Sequence, residues 1–142
     1  MKTMLSILTA GALLASGGPG LAAPAPAPAD GLWLNPRGTV AVRTGDCQGR
    51  LCGWIVWASA EALADAHDSG VDRLVGTELL EDYVPKGPGH WSGSVYVPDM
   101  GHHFSSTIVQ LGANSLKVQG CLISGFICRS QVWRRIAKPP NG

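Results

Sequence analysis

Residues 47–52 read Cys-Gln-Gly-Arg-Leu-Cys, and residues 121–128 read Cys-Leu-Ile-Ser-Gly-Phe-Ile-Cys. Each cysteine pair brackets a glycine-bearing turn, and apolar runs flank each turn. This is the layout of two β-hairpins, each stapled near its tip. Disulfides persist only in an oxidising compartment, so the spacing reports fold and location together. Local pairing, Cys47 with Cys52 and Cys121 with Cys128, is one of three connectivities that four cysteines allow. Loops this short make each bond worth about 2 kcal/mol on the chain-entropy estimate.

Outward from the two hairpins the same rhythm continues. After Gly31, turn residues recur at short intervals, and between them lie runs rich in Val, Ile, Trp and Tyr. That pattern predicts an all-β sandwich or barrel. Strands are expected at Gly31 to Leu34, Thr39 to Thr44, Leu51 to Ala58, Glu78 to Val84, His90 to Val97, His102 to Leu111, Ser115 to Leu122 and Ile127 to Ala137. Strands joined mostly by short turns close most simply into a single antiparallel up-and-down β-barrel of about eight strands. A barrel of that size is filled by its side chains or holds one small ligand. One segment breaks the pattern. Ser59 to Gly70 is Ala-rich, with Ser59 as a credible N-cap and Gly70 placed to end a helix. It predicts one short helix or helical lid, with a long surface loop as the alternative.

The first residues carry a different signal. Lys2, the apolar run Leu5 to Leu14 and the small-x-small stretch Gly20-Leu21-Ala22 together form a secretory signal peptide over 1–22. Ala23 to Asp30 alternates Ala and Pro, an extended spacer that cannot build a core. A domain over 31–138 follows, with a short tail at 139–142. No stretch approaches the roughly 20 apolar residues of a membrane-spanning helix. The formal charge of the whole chain is +1, and without Lys2 acid and base are balanced. With no basic run, nucleic acid and anionic membrane surfaces are unfavoured partners. The expected location is the periplasm or the exterior.

Gly31-Leu32-Trp33, the Cys47–Trp57 hairpin, Trp91-Ser-Gly-Ser-Val-Tyr96, Leu116-Lys-Val-Gln-Gly-Cys121 and Ile127-Cys-Arg-Ser-Gln-Val-Trp-Arg-Arg135 occur in an order that resembles the small exported bacterial family called domain of unknown function 2147. The resemblance implies a lipocalin-like, calycin-type barrel and carries no activity or catalytic residues with it. In such barrels a Gly-x-Trp on the first strand plugs one end, with an Arg from the last strand stacked over it. Here that implies Trp33 under Arg134 or Arg135. The stretch from Ser59 to Arg73 departs from the family, being shorter and richer in Ala.

Side-chain alternation then selects candidate residues. Arg129, Gln131 and Trp133 share one face of the last strand. Placed inward, Arg129 would anchor a carboxylate or phosphate head group; otherwise it pairs with an acid such as Glu78 or Asp82, or faces solvent. Trp91 and Phe104 are expected inward on neighbouring strands. Small residues at Gly93, Ser106 and Gly120 leave space beside them for a cavity, unless they are there to let the rings fit. Both faces of Leu51 to Ala58 are apolar, so either Trp54 or Trp57 is exposed, covered by the helical segment, or used in a homodimer. Metal binding would draw on His90, His102, His103 and Asp99, but adjacent histidines in a strand point to opposite faces, and the cysteines are committed to disulfides. No hydrolase elbow, zinc-protease motif or phosphate loop is present. The sequence thus predicts a non-enzymatic, cofactor-free binding protein. A small amphiphilic ligand would be lined by Trp91, Phe104, Arg129, Gln131 and Trp133. The competing expectation is a filled barrel serving as an envelope interaction protein.

Overall fold

A computed structural model describes residues 16–20, 29–122 and 127–141. Most of the expected leader, residues 23–28 of the spacer and the tip of the second hairpin lie outside the described residues. Eight strands follow in order: β1 (Gly31–Leu34), β2 (Val40–Cys47), β3 (Arg50–Ala58), β4 (Glu78–Gly87), β5 (His90–Val97), β6 (His102–Gly112), β7 (Ser115–Leu122) and β8 (Ile127–Arg135). Each pairs antiparallel with its sequence neighbour, and β8 returns to β1, closing the barrel. The single helix, α1 (Ala60–Asp68), lies between β3 and β4. The Ser59 hydroxyl caps it by accepting the Ala62 amide, and Gly70, at φ 83°, follows its end.

Both cysteine pairs are local, Cys47 with Cys52 and Cys121 with Cys128, with Cα atoms 5.9 and 4.0 Å apart. They staple opposite ends of the barrel. The end holding Gly31, Cys47 and Arg135 is the floor; the end holding α1 and Cys121 is the mouth.

The floor is solid. Trp33, Val42, Leu80, Tyr83, Ile108 and Leu116 are almost completely buried in one cluster. Arg135 lies over Trp33 with its guanidinium carbon 4.2 Å from the ring. The plug expected at this end is therefore present, and Arg135 rather than Arg134 supplies it. Arg135 also donates to the Ala113 and Asp30 carbonyls at 2.7 and 2.8 Å. Gly31 has φ 151°, and a Cβ there would collide with that guanidinium, so only glycine admits this approach. The fold begins before β1: Ala29 is 1% exposed, and its carbonyl accepts from Trp33 Nε1 and Thr44 Oγ1.

Several register shifts interrupt the wall, and two bulges among them set which side chains of β3 and β4 enter the core. Val42 pairs with Ile55 but Ala41 pairs with Trp57, leaving Val56 as an extra residue. Ile55 and Ala58 therefore enter the main core, while Trp57 packs outside against Leu32, Leu34 and Ala41. Trp54, opposite Arg43 and Glu78, lies half-buried on the outer face as well. The second bulge is at Asp82, whose φ of 51° is left-handed. It brings both Leu80 and Tyr83 inward although they are three residues apart.

Candidate functional site

The upper half of the barrel is open. Two adjoining cavities, of about 320 and 230 Å³, lie at the mouth and share Leu79, Pro98, Gln131 and Trp133. The larger lies beneath α1, where Ala62, Asp65, Ala66 and Ser69 meet Asn35, Thr39, Val40, Ile55 and Asp99. The smaller runs down the wall between Val95, Val118, Gly120 and Arg129. Ligand pockets are commonly about 300–1,000 Å³ and mostly apolar with a few convergent polar groups.

Local structure explains the placement. Register pairs Gly120 with Arg129, Val118 with Gln131 and Leu116 with Trp133. Leu116, Val118 and Trp133 belong to the buried core, so their whole face of β8 looks inward. Moving toward the mouth, that face changes from buried Trp133 to exposed Gln131 and Arg129. The Trp133 indole N–H donates to Gln131 Oε1 at 3.0 Å, which fixes the ring against the shared wall. Arg129 has no carboxylate partner among the described residues; Asp82 instead lies 3.6 Å from Arg50. On the outer face opposite Trp54, burial holds the Glu78 carboxyl above the usual range, and Glu81 and Asp82 add to the shift.

The five residues expected at the site are thus divided. Gln131 and Trp133 line both cavities, and Arg129 lines the smaller. Trp91 and Phe104 are outside the described linings. Trp91 is opposite Ile108 toward the floor and packs against the core, and half-buried Phe104 sits with its ring centroid 6.2 Å from that of His102. The small residues also divide. A Cβ on Gly93 would strike Tyr83, so that glycine makes room for a ring rather than a ligand, whereas Gly120 opens onto the smaller cavity. Lining residues that sequence reasoning did not single out include Leu79, Pro98 and Asp65, and Asp99 was considered only as a metal ligand. The available signal was the Ala62/Ala66 stripe of the helix, which faces the core at i, i+4 spacing and carries Asp65 beside it.

Beneath the cavities the Tyr83 and Ser106 hydroxyls are buried without a hydrogen-bond partner among the described residues. Burial pushes the Tyr83 hydroxyl pKa up strongly; the neighbouring Ser106 hydroxyl acts against that shift and the Glu81 charge adds to it. Outside the barrel, His103 Nε2 is 3.2 Å from Glu81 Oε1, and its ring lies 4.8 Å from that of Tyr96. No group of three or more His, Cys, Asp or Glu among the described residues is placed to hold a metal ion, and no described helix is long and apolar enough to cross a membrane.

Comparison with known proteins agrees with this geometry. No curated protein matches the chain. Among solved structures it is similar to protein HP1028 from Helicobacter pylori, described as belonging to the lipocalin family. The TM-score is 0.58 at 12% identity, over 76% of this chain and 82% of that one. At that identity the likeness speaks for the fold alone. A family model described as an uncharacterized protein conserved in bacteria, DUF2147, matches residues 31–135. With a closed eight-stranded lipocalin-like barrel and a family match spanning all of its strands, the chain belongs to the DUF2147 family.

Proposed function

We propose that this chain is an exported binding protein whose barrel takes one small amphiphile through its mouth. The observation that carries the reading is the pair of adjoining cavities above a solid floor, with apolar walls and Arg129 and Gln131 on the inner face of β8. Val95, Val118, Leu79 and Trp133 would cover the apolar part of the ligand. Arg129 would hold an anionic head by charge-assisted hydrogen bonds, which are about twice as strong as neutral ones. Export is supported by the leader-like first 22 residues and by two cysteine pairs suited to an oxidising compartment. The role is binding rather than catalysis: the polar lining groups are suited to orienting a head group.

The test is a titration of the oxidised protein with single-chain amphiphiles below their micellar concentrations. It is followed by tryptophan fluorescence and native mass spectrometry. The expected result is saturable binding of one molecule per chain, about tenfold weaker for an anionic head in Arg129→Gln, a change of about 1.4 kcal/mol. Absence of any bound species by both methods would refute the reading. A concentration-dependent dimer abolished by Trp54→Ser would then support the filled-barrel interaction protein.

A further inference from the structure

The two adjoining cavities differ in charge. The larger is lined by Asp65 and Asp99, and its one cationic lining residue, Arg37, is already held by Glu61 at 2.6 Å. The charged group of the smaller is Arg129. Among the described residues none of Asp65, Asp99 and Arg129 has a salt-bridge partner. One continuous mouth therefore presents two unmatched carboxylates on one side and one unmatched guanidinium on the other. Trp133, which borders both cavities, is the apolar surface between them.

We propose that the ligand is a zwitterionic amphiphile, with its cationic group toward Asp65 and Asp99 and its anionic group on Arg129. This rests on the binding reading above and adds the class of head group. A simple fatty acid satisfies Arg129 but brings a third negative charge beside the two carboxylates. A simple alkylammonium has the converse defect at Arg129. Complementary potentials select among partners of similar shape because like-charge juxtaposition is costly. A quaternary or primary ammonium would also find the Trp133 ring, the best side chain for a cation–π contact.

Three probes with the same twelve-carbon chain separate the possibilities: N-dodecyl-N,N-dimethylglycine, dodecanoate and dodecyltrimethylammonium. Each is titrated into the oxidised full chain by calorimetry below its micellar concentration, with native mass spectrometry to confirm stoichiometry. The zwitterion is expected to bind at least tenfold more tightly than either singly charged probe. Asp65→Asn/Asp99→Asn should erase its advantage over dodecanoate, and Arg129→Gln should erase its advantage over dodecyltrimethylammonium. All three side chains are exposed, and unchanged far-ultraviolet dichroism would show that the variants fold. Dodecanoate binding as tightly as the zwitterion, or a preference unmoved by the double Asn variant, would overturn the proposal while leaving amphiphile binding intact. Failure of all three probes to bind would overturn both.

Discussion

Arg135 shows how much one side chain organises here. It stacks on Trp33, donates to two carbonyls, and requires glycine at position 31. A cation–π contact is worth about 0.5–2 kcal/mol and a net hydrogen bond about 0.5–1.5 kcal/mol. Arg135→Ala is therefore expected to lower stability by about 1–3 kcal/mol, read from the denaturant midpoint. Tyr83 makes the opposite case. Its buried hydroxyl makes no well-aligned hydrogen bond among the described residues; only the Ser106 hydroxyl, equally unpaired, lies beside it, and an under-satisfied buried pair burdens the folded protein. Tyr83→Phe should be neutral or stabilising by about 1 kcal/mol. The raised pKa of Tyr83 also makes a pH prediction. Above the ordinary tyrosine value near 10 the unfolded chain loses this proton while the folded chain keeps it. The unfolded state then binds fewer protons, so stability is intact below that pH and falls as pH rises beyond it. Unfolding measured from pH 9 to 11 should show a steeper alkaline loss in the native protein than in Tyr83→Phe.

At the scale of the element, the strands and their turns were legible because Gly, Pro and Asn punctuate runs of β-forming residues. The helix was legible through Ser59 and its alanines. The bulges were not. An extra residue leaves the strand's composition unchanged and only shifts which side chains share a face, so alternation read through Leu51–Ala58 gave two equally apolar faces. The extra Val56 resolves this: Trp54 and Trp57 both lie outside, Trp57 under the Leu32–Leu34–Ala41 cluster. Asp82 turns β4 in the same way, through a left-handed φ of 51°. That conformation is tolerated by Asp, favourable for Gly and poor for a β-branched residue. Asp82→Gly should change stability by less than about 0.5 kcal/mol, since the exposed ion pair with Arg50 is worth little. Asp82→Val should cost about 1–3 kcal/mol. Equal effects from the two substitutions in chemical denaturation would remove the bulge as a determinant of the inward Tyr83.

For the whole molecule, the division between a packed floor and an open mouth is the property on which the proposed binding role rests. The sequence carried half of it. Alternation put Arg129, Gln131 and Trp133 on one face of β8 and the family resemblance implied the Trp33 plug, but whether that face of β8 looked inward stayed open between two alternatives until the register was known. The depth of the cavity could not be read, because it depends on whether Gly93 faces a ring or a void, and a ring from β4 fills that space. Trp91 therefore sits against the core rather than in the described cavity linings. Asp65 and Asp99 come from the helix and from a loop, and only the closure of the barrel brings them to one mouth. The staples belong to this scale too. Removing the Cys47–Cys52 bond by substituting both residues with Ala should cost about 2 kcal/mol on the chain-entropy estimate.

The most direct test is a ¹⁵N–¹H resonance titration of the oxidised protein with a twelve-carbon zwitterionic amphiphile. Saturable shifts concentrated at residues 65, 95–97, 99, 118–120 and 129–133, with the floor around Trp33 and Arg135 unmoved, are the predicted result. Absence of saturable shifts, or shifts confined to the outer face around Trp54, would contradict a ligand held inside the barrel.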